Sequence, residues 1–281
     1  MGLFNFVKHG KNSKSPANSS DGTVRSDYSK LPIEQQLIRY IDCPYKLIPQ
    51  KTPISDVNKE YTAALRYGAE RGCTPVIVPV TPNLVNLLGR DGEMNADIEL
   101  IRELRRALLW QINDSAGDII IESAYYDRIS ELTARGIDTS ALENGNAQGA
   151  SVNAFHSFAA DGLTTCAVIL AQLPTVNPWE AFVWLPVGGA NGAPSDNELI
   201  CISRLWHEMC GAIPSVIGFG AIEYFIPRGK PDLRTAAEIA KGHFAVCPDR
   251  VLRMTRSRTI GELADTLTKS CVWYLGWKGE H

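Results

Sequence analysis

Six residues, Pro75-Val76-Ile77-Val78-Pro79-Val80, limit most sharply what this chain can fold into. Four of them are β-branched, no charge interrupts them and turn-forming residues bound them, so the run predicts a buried strand. Upstream, Val57, Tyr61, Ala64, Leu65 and Gly68 recur at helical spacing, and Gly72 stands where a left-handed C-cap residue belongs. Downstream, Thr81 supplies an N-cap and Pro82 a first-turn proline for a helix through Leu88. A helix, strand, helix order follows.

The periodicity predicts further helices over 97–112 (Ile98, Ile101, Leu104, Leu108) and about 123–135 (Tyr126, Ile129, Leu132), the latter stopping at Gly136. The stretch 137–151 has almost no period and several turn formers, which marks it as the candidate boundary. Beyond it, 163–174 and 180–187 are two β-rich runs joined by TVNPW, expected to form a hairpin. Asp196 is the expected cap of a helix over 197–210, with Leu199, Ile202, Trp206 and Met209 on one face. IPSVIGF and AIEYFIP predict two strands with a glycine turn between them. A helix over about 234–246 ends before Cys247-Pro248, because a residue preceding proline is pushed out of the helical region. Thr259 and Glu262 form a capping-box pattern for a helix through Lys269, and CVWYLGW is the terminal strand. The expected fold class is α+β: a mixed β-sheet flanked by helices in the C-terminal domain, with an N-terminal αβ extension packed on it or continuous with it. The expected division is a polar tail at 1–30, an αβ region at 31–150 and a C-terminal domain at 151–281.

Composition narrows the function classes. A formal net charge of −3 on 281 residues argues against a nucleic-acid binder, whose affinity comes from phosphate neutralisation by a basic surface. The longest purely apolar run, Cys166 to Ala171, is far short of the roughly 20 residues that span a bilayer. Seven cysteines, an odd number without a CxxC pair, give neither a disulfide framework nor a redox motif, and point to a reducing cytoplasm. The opening MGLFNFVKHGK is too short in apolar residues for a signal-peptide core, and Phe6 occupies the place where a myristoylation signal has Ser or Thr. Residues 8–30 hold six serines and only Ala17, Val24 and Tyr28 as apolar residues, the composition of a solvated tail.

The succession NPWEAFVWLPVGG, ELICISRLWHEMCGA, IEYFIP, AAEIAKGHFAVCPDRV, TIGELADTL and WYLGW, over about residues 172–278, resembles the bacterial family known as domain of unknown function 4253. In that family the corresponding segments read as a Gly-Gly-Trp-Asn loop, a Tyr-Trp-Tyr helix ending in Tyr-Gly-Ala, a Cys-Pro-Asp turn, a Val-Asp-Gln-Gly stretch and a Trp-Tyr-Phe-Trp-Trp-Asp terminus. Here Ala190 replaces the loop Trp, Leu252 and Arg253 stand in the Asp-Gln place, and Lys278 replaces the terminal acid. The resemblance implies a bacterial origin and an α+β fold, and brings no known activity. Glu223, Cys247 and Asp249 keep the family's polar pattern, beside Trp206, Trp273 and Trp277.

These residues define the candidates. Cys247, Asp249 and Glu223 are the candidate catalytic set of a hydrolase or transferase, with His243 or His207 as a base. Against it, Cys247 lies at the C-terminal pole of a helix, which disfavours a thiolate. A buried structural cysteine is the plainer alternative. His207 with Cys210 and His243 with Cys247 are spaced to share helical faces and suit tetrahedral zinc as an alternative; the expectation is no metal and no cofactor. The loops GGANGAP and GFGAIE lack the lysine and third glycine of nucleotide-binding turns and are expected to be plain turns. Arg250, Arg253, Arg256 and Arg258 cluster within nine residues and are candidate contacts for a phosphate or an acidic partner. The aromatics Trp206, Trp273 and Trp277 are candidate binding residues, with core packing the competing role. With no complete catalytic constellation, the sequence favours a cytosolic, non-catalytic protein-interaction module of immunity or regulatory type.

Overall fold

The β-branched run becomes the third strand of a six-stranded sheet in a computed structural model that describes residues 28–90, 96–112, 117–143, 147–227 and 229–277. The chain runs α1 (Ile33–Ile41), β1 (Tyr45–Ile48), α2 (Ile54–Arg71), β2 (Thr74–Pro79), α3 (Pro82–Leu88), α4 (Ile98–Gln111), α5 (Gly117–Ala134) and α6 (Ser140–Glu143). It continues through β3 (Ala159–Ala160), β4 (Leu163–Thr164), β5 (Val168–Leu173), α7 (Ala181–Trp184), α8 (Asp196–Cys210), β6 (Ile213–Gly218) and β7 (Ala221–Phe225). Last come α9 (Leu233–Val246), α10 (Asp249–Leu252), α11 (Ile260–Lys269) and β8 (Val272–Gly276). The class is α+β, a mixed sheet flanked by helices.

The sheet order is β1-β5-β2-β6-β7-β8. Every pairing is antiparallel except β2 with β6, which is parallel and registered at Ile77 opposite Val216. Prolines 75, 79 and 214 lie in these two strands and donate no ladder hydrogen bond, so the seam between the two antiparallel halves is short. Strands from residues 31–150 and from 151–277 therefore share one sheet, with β2 inserted between two strands of the later region.

Alternation along the strands separates two cores. Val76, Val78, Ile169, Ala171, Ile217, Tyr224, Trp273 and Leu275 face the larger helical layer, which includes α8, α9 and α11. Ile77, Val168, Leu170, Val216 and Val272 face α2 and the segment around Phe155 and Phe158. On this second face Tyr61 donates or accepts a 2.5 Å hydrogen bond with Ser215 and meets Phe155 edge-on at 5.1 Å.

Several local expectations hold at the level of single caps. Gly72 ends α2 in the left-handed region, and the Thr81 hydroxyl accepts from Leu84 N–H to start α3. Gly220, with φ +66°, turns β6 into β7, where a Cβ would sit 2.6 Å from the Trp277 carbonyl. Other expectations need correction. Residues 180–187 are not a strand: after a 3₁₀ turn at Pro178–Glu180, residues 181–184 form α7, fully buried, and β5 pairs with β1 and β2 instead of a hairpin partner. A run that is apolar on every side has no face alternation, so it suits a buried helix as well as a strand. The cap of α8 is Ser195, in a reciprocal box with Glu198, while Asp196 accepts from Gly188 N–H. Thr259 accepts from Glu262 N–H as expected, but the Glu262 carboxylate turns to Arg256 N–H and Ser257 N–H, so only half of that box forms.

The stretch 137–151 contains α6, and its described end is tied down: Gly149 N–H donates to Asp265 at 2.7 Å, and Val152 N–H to Ser270 at 2.8 Å. Of the expected tail, residues 1–27 lie outside the described residues, and Tyr28–Lys30 forms a 3₁₀ turn with the Arg39 guanidinium 3.4 Å above the Tyr28 ring. Among the described residues no helix is long and apolar enough to cross a membrane.

Candidate functional site

Glu223 lies on β7 between Ile222 and Tyr224, so period-2 alternation turns it to the α2 face. Its side chain is fully buried. The carboxylate accepts from His156 N–H at 3.1 and 3.2 Å and from Ser157 N–H, while His156 Nδ1 lies 3.8 Å away. Tyr274, opposite Glu223 in the β7–β8 register, packs 5.0 Å from the His156 ring. The glutamate thus pins the 155–158 segment to the sheet through two of its backbone donors.

Cys247 lies on the other side. It follows α9, whose His243 packs 5.7 Å from Trp273, and Trp273 faces opposite to Tyr274 along β8. Cys247 thus belongs to the larger core and Glu223 to the α2 face, with Tyr274 on the edge strand β8 in electrostatic reach of both. Cys247 is 1% exposed and its thiol donates to the Gly276 carbonyl at 3.2 Å. Burial pushes the thiol up, away from thiolate, and the contact with Gly276 offsets this only in part. Asp249, in the first turn of α10, is engaged by Arg253 Nε at 3.2 Å. Among the described residues no hydrogen bond or ion pair joins Glu223 to Cys247 or Asp249, while Asp249 lies in electrostatic reach of Cys247. Alkylation of native Cys247 by iodoacetamide is expected to be slower than in the urea-unfolded chain by about 100-fold, read by peptide mass spectrometry. Equal rates would restore the nucleophile reading.

His243 is fully buried between Trp206, at 4.7 Å, and Trp273, and among the described residues neither ring nitrogen has a hydrogen-bond partner. Burial holds its pKa well below the ordinary imidazole value, and the nearby Arg250 charge adds to the shift. The unfolded chain, with an ordinary pKa of about 6.5, therefore takes up a proton that the folded state refuses. Stability contributed this way is complete above about pH 6.5 and falls as pH drops below it, by up to about 1.4 kcal/mol per pH unit. Urea titrations between pH 7 and 5 should show this slope, and His243→Phe should remove it; an unchanged slope contradicts the assignment.

The zinc alternative fails geometrically. His207 Nδ1 donates to the Ala212 carbonyl at 3.0 Å and its ring packs on Trp179, Cys210 donates to the Trp206 carbonyl, and His243 and Cys247 are held as described. No group of three or more metal-ligating residues gathers among the described residues. The arginine cluster is also divided. Arg250 is 8% exposed and its Nε lacks a partner among the described residues, so it is not a surface contact. Arg253, Arg256 and Arg258 are exposed. Trp273 and Trp277 are core residues, the latter donating to the Val246 carbonyl at 2.9 Å.

Trp206 is a core residue as well, 1% exposed, but it also lines a groove of about 530 Å³ between α5, α8 and α9. The walls are Ile121, Tyr125, Tyr126, Leu205 and Met209, and the polar lining is Asp118, Glu122, Glu238 and Lys241. Gly117 lets α5 close on α8 at one end: a Cβ there would lie 2.6 Å from the Cys201 carbonyl. Tyr125 and Tyr126 stand nearly perpendicular, at 73° and 5.8 Å. Outside the groove, Ile119 on α5 is 65% exposed and Trp110 at the end of α4 is 88% exposed. Sequence periodicity found α5 but not its surface. The available signal was Ile119-Ile120-Ile121 followed by Tyr125-Tyr126, apolar residues on consecutive positions and so on more than one face. A smaller cavity of about 180 Å³ lies by α3, α4 and α7; there the buried Arg105 donates to the Tyr40 and Ile41 carbonyls and closes the end of α1.

Neither the curated proteins nor the solved structures gave a match to this chain. The family model described as Domain of unknown function (DUF4253) matches residues 169–278, from β5 to just past β8, and the C-terminal region of this chain is a domain of that family.

Proposed function

We propose that the chain is a non-catalytic protein-interaction module of immunity or regulatory type, acting in a reducing bacterial cytoplasm, and that it docks its partner in the groove between α5, α8 and α9. The observation that carries this reading is the apolar surface left outside the core on α5, with Ile119 and Tyr126 both more than half exposed and Tyr126 lining an apolar cleft. Solvent-exposed apolar clusters of this kind mark recognition surfaces. Seven free cysteines are consistent with the compartment. The hydrolase or transferase alternative has against it the placement of Cys247 in the larger core and Glu223 on the α2 face.

Selection of a displayed random-peptide library on the immobilised full chain tests the reading. Enriched peptides should share apolar anchors and lose about tenfold in affinity with Tyr126→Ser combined with Met209→Ser, both at exposed positions. Peptides that bind the double variant as tightly as the parent would remove the groove from the account.

A further inference from the structure

We infer that the partner element entering this groove is a basic amphipathic helix, an assignment that rests on the docking reading above and adds the chemistry of the occupant. Three carboxylates, Asp118, Glu122 and Glu238, and one ammonium, Lys241, edge the apolar floor. Among the described residues none of the three acids makes an ion pair. An apolar anchor buried between α5 and α8 brings the flanking side chains of its own helix over these acids. Cations there gain attraction and a faster encounter, whereas an acidic flank is repelled. The Tyr126 ring, 61% exposed, offers a face to an ammonium or guanidinium group. The groove follows α5 from Asp118 to Tyr126, about 12 Å along the helix, enough for anchors at i, i+3, i+4 and i+7 of a docked helix.

Three helical peptides of about 14 residues, identical in their leucine positions and carrying Lys, Gln or Glu elsewhere, test the inference on the full chain labelled with 5-fluorotryptophan. The Trp206 resonance, assigned by Trp206→Phe, is the reporter because Trp206 lines the groove. The Lys peptide should shift it saturably, about tenfold more tightly than the Gln peptide, and the Glu peptide should bind more weakly still. Glu122→Lys with Glu238→Lys, both exposed, should reverse that order. Equal affinity of the three peptides overturns the basic partner while leaving groove docking in place. Silence of the Trp206 resonance with every peptide overturns both. A matching shift with tetramethylammonium chloride at the same concentration would mean a small-cation site and also overturn the inference.

Discussion

Residues 147–277 expressed without residues 28–143 are expected not to fold, giving no cooperative urea transition and a far-UV circular dichroism spectrum poor in helix. The reason is topological. β5 pairs with β1 and β2, both supplied by the deleted region. The deletion also takes Leu37, Val76, Val78 and Leu84 from the larger core and Val57, Tyr61 and Ile77 from the smaller one. Loss of this much buried apolar surface, at about 25 cal/mol per Å², exceeds the net stability of an ordinary domain. Adding residues 28–143 as a separate chain should restore structure. The family match at 169–278 takes in β5, β6, β7 and β8 but not β2, which lies between β5 and β6, so its limits are not those of a folding unit. A cooperative transition in the isolated 147–277 fragment would contradict this view.

Glu223→Ala should cost about 2–3 kcal/mol, because it leaves the part-buried N–H groups of His156 and Ser157 without their charged acceptor. Glu223→Gln keeps one carbonyl oxygen and should cost about 1–2 kcal/mol. Equilibrium urea denaturation measures both. The sign also separates roles: a carboxylate held in an active site at the expense of stability is commonly replaced with no loss or a gain. A stabilised Glu223→Ala would return this residue to the catalytic candidates.

Features governed by neighbours in sequence were the legible ones. The buried strand at 75–80, the Gly72 and Thr81 caps and the β6–β7 turn each follow from a few adjacent residues. What was hidden depended on distant chain. The four-residue α7 has the composition of a strand, and only its enclosure on every side favours a helix. Arg250 looked like one of four solvated arginines until the α10 turn placed it beside Cys247 and Tyr274. The strand β1 is an edge segment of four residues with Leu47 left exposed, too short to show a period. Glu223 and Cys247 were singled out correctly as unusual polar residues in apolar strings, yet nothing local tells which side of a sheet each one takes. The groove needed α5, α8 and α9 assembled before the outward apolar residues of α5 acquired neighbours.

Site-specific photocrosslinking in the native cell tests the central claim most directly, with benzoylphenylalanine placed in turn at Tyr126, Met209, Arg253 and Arg256 of the full chain. The account predicts a discrete protein adduct from positions 126 and 209 and none from 253 and 256. Adducts confined to 253 and 256 would put recognition on the arginine loop and contradict a docking groove between α5, α8 and α9.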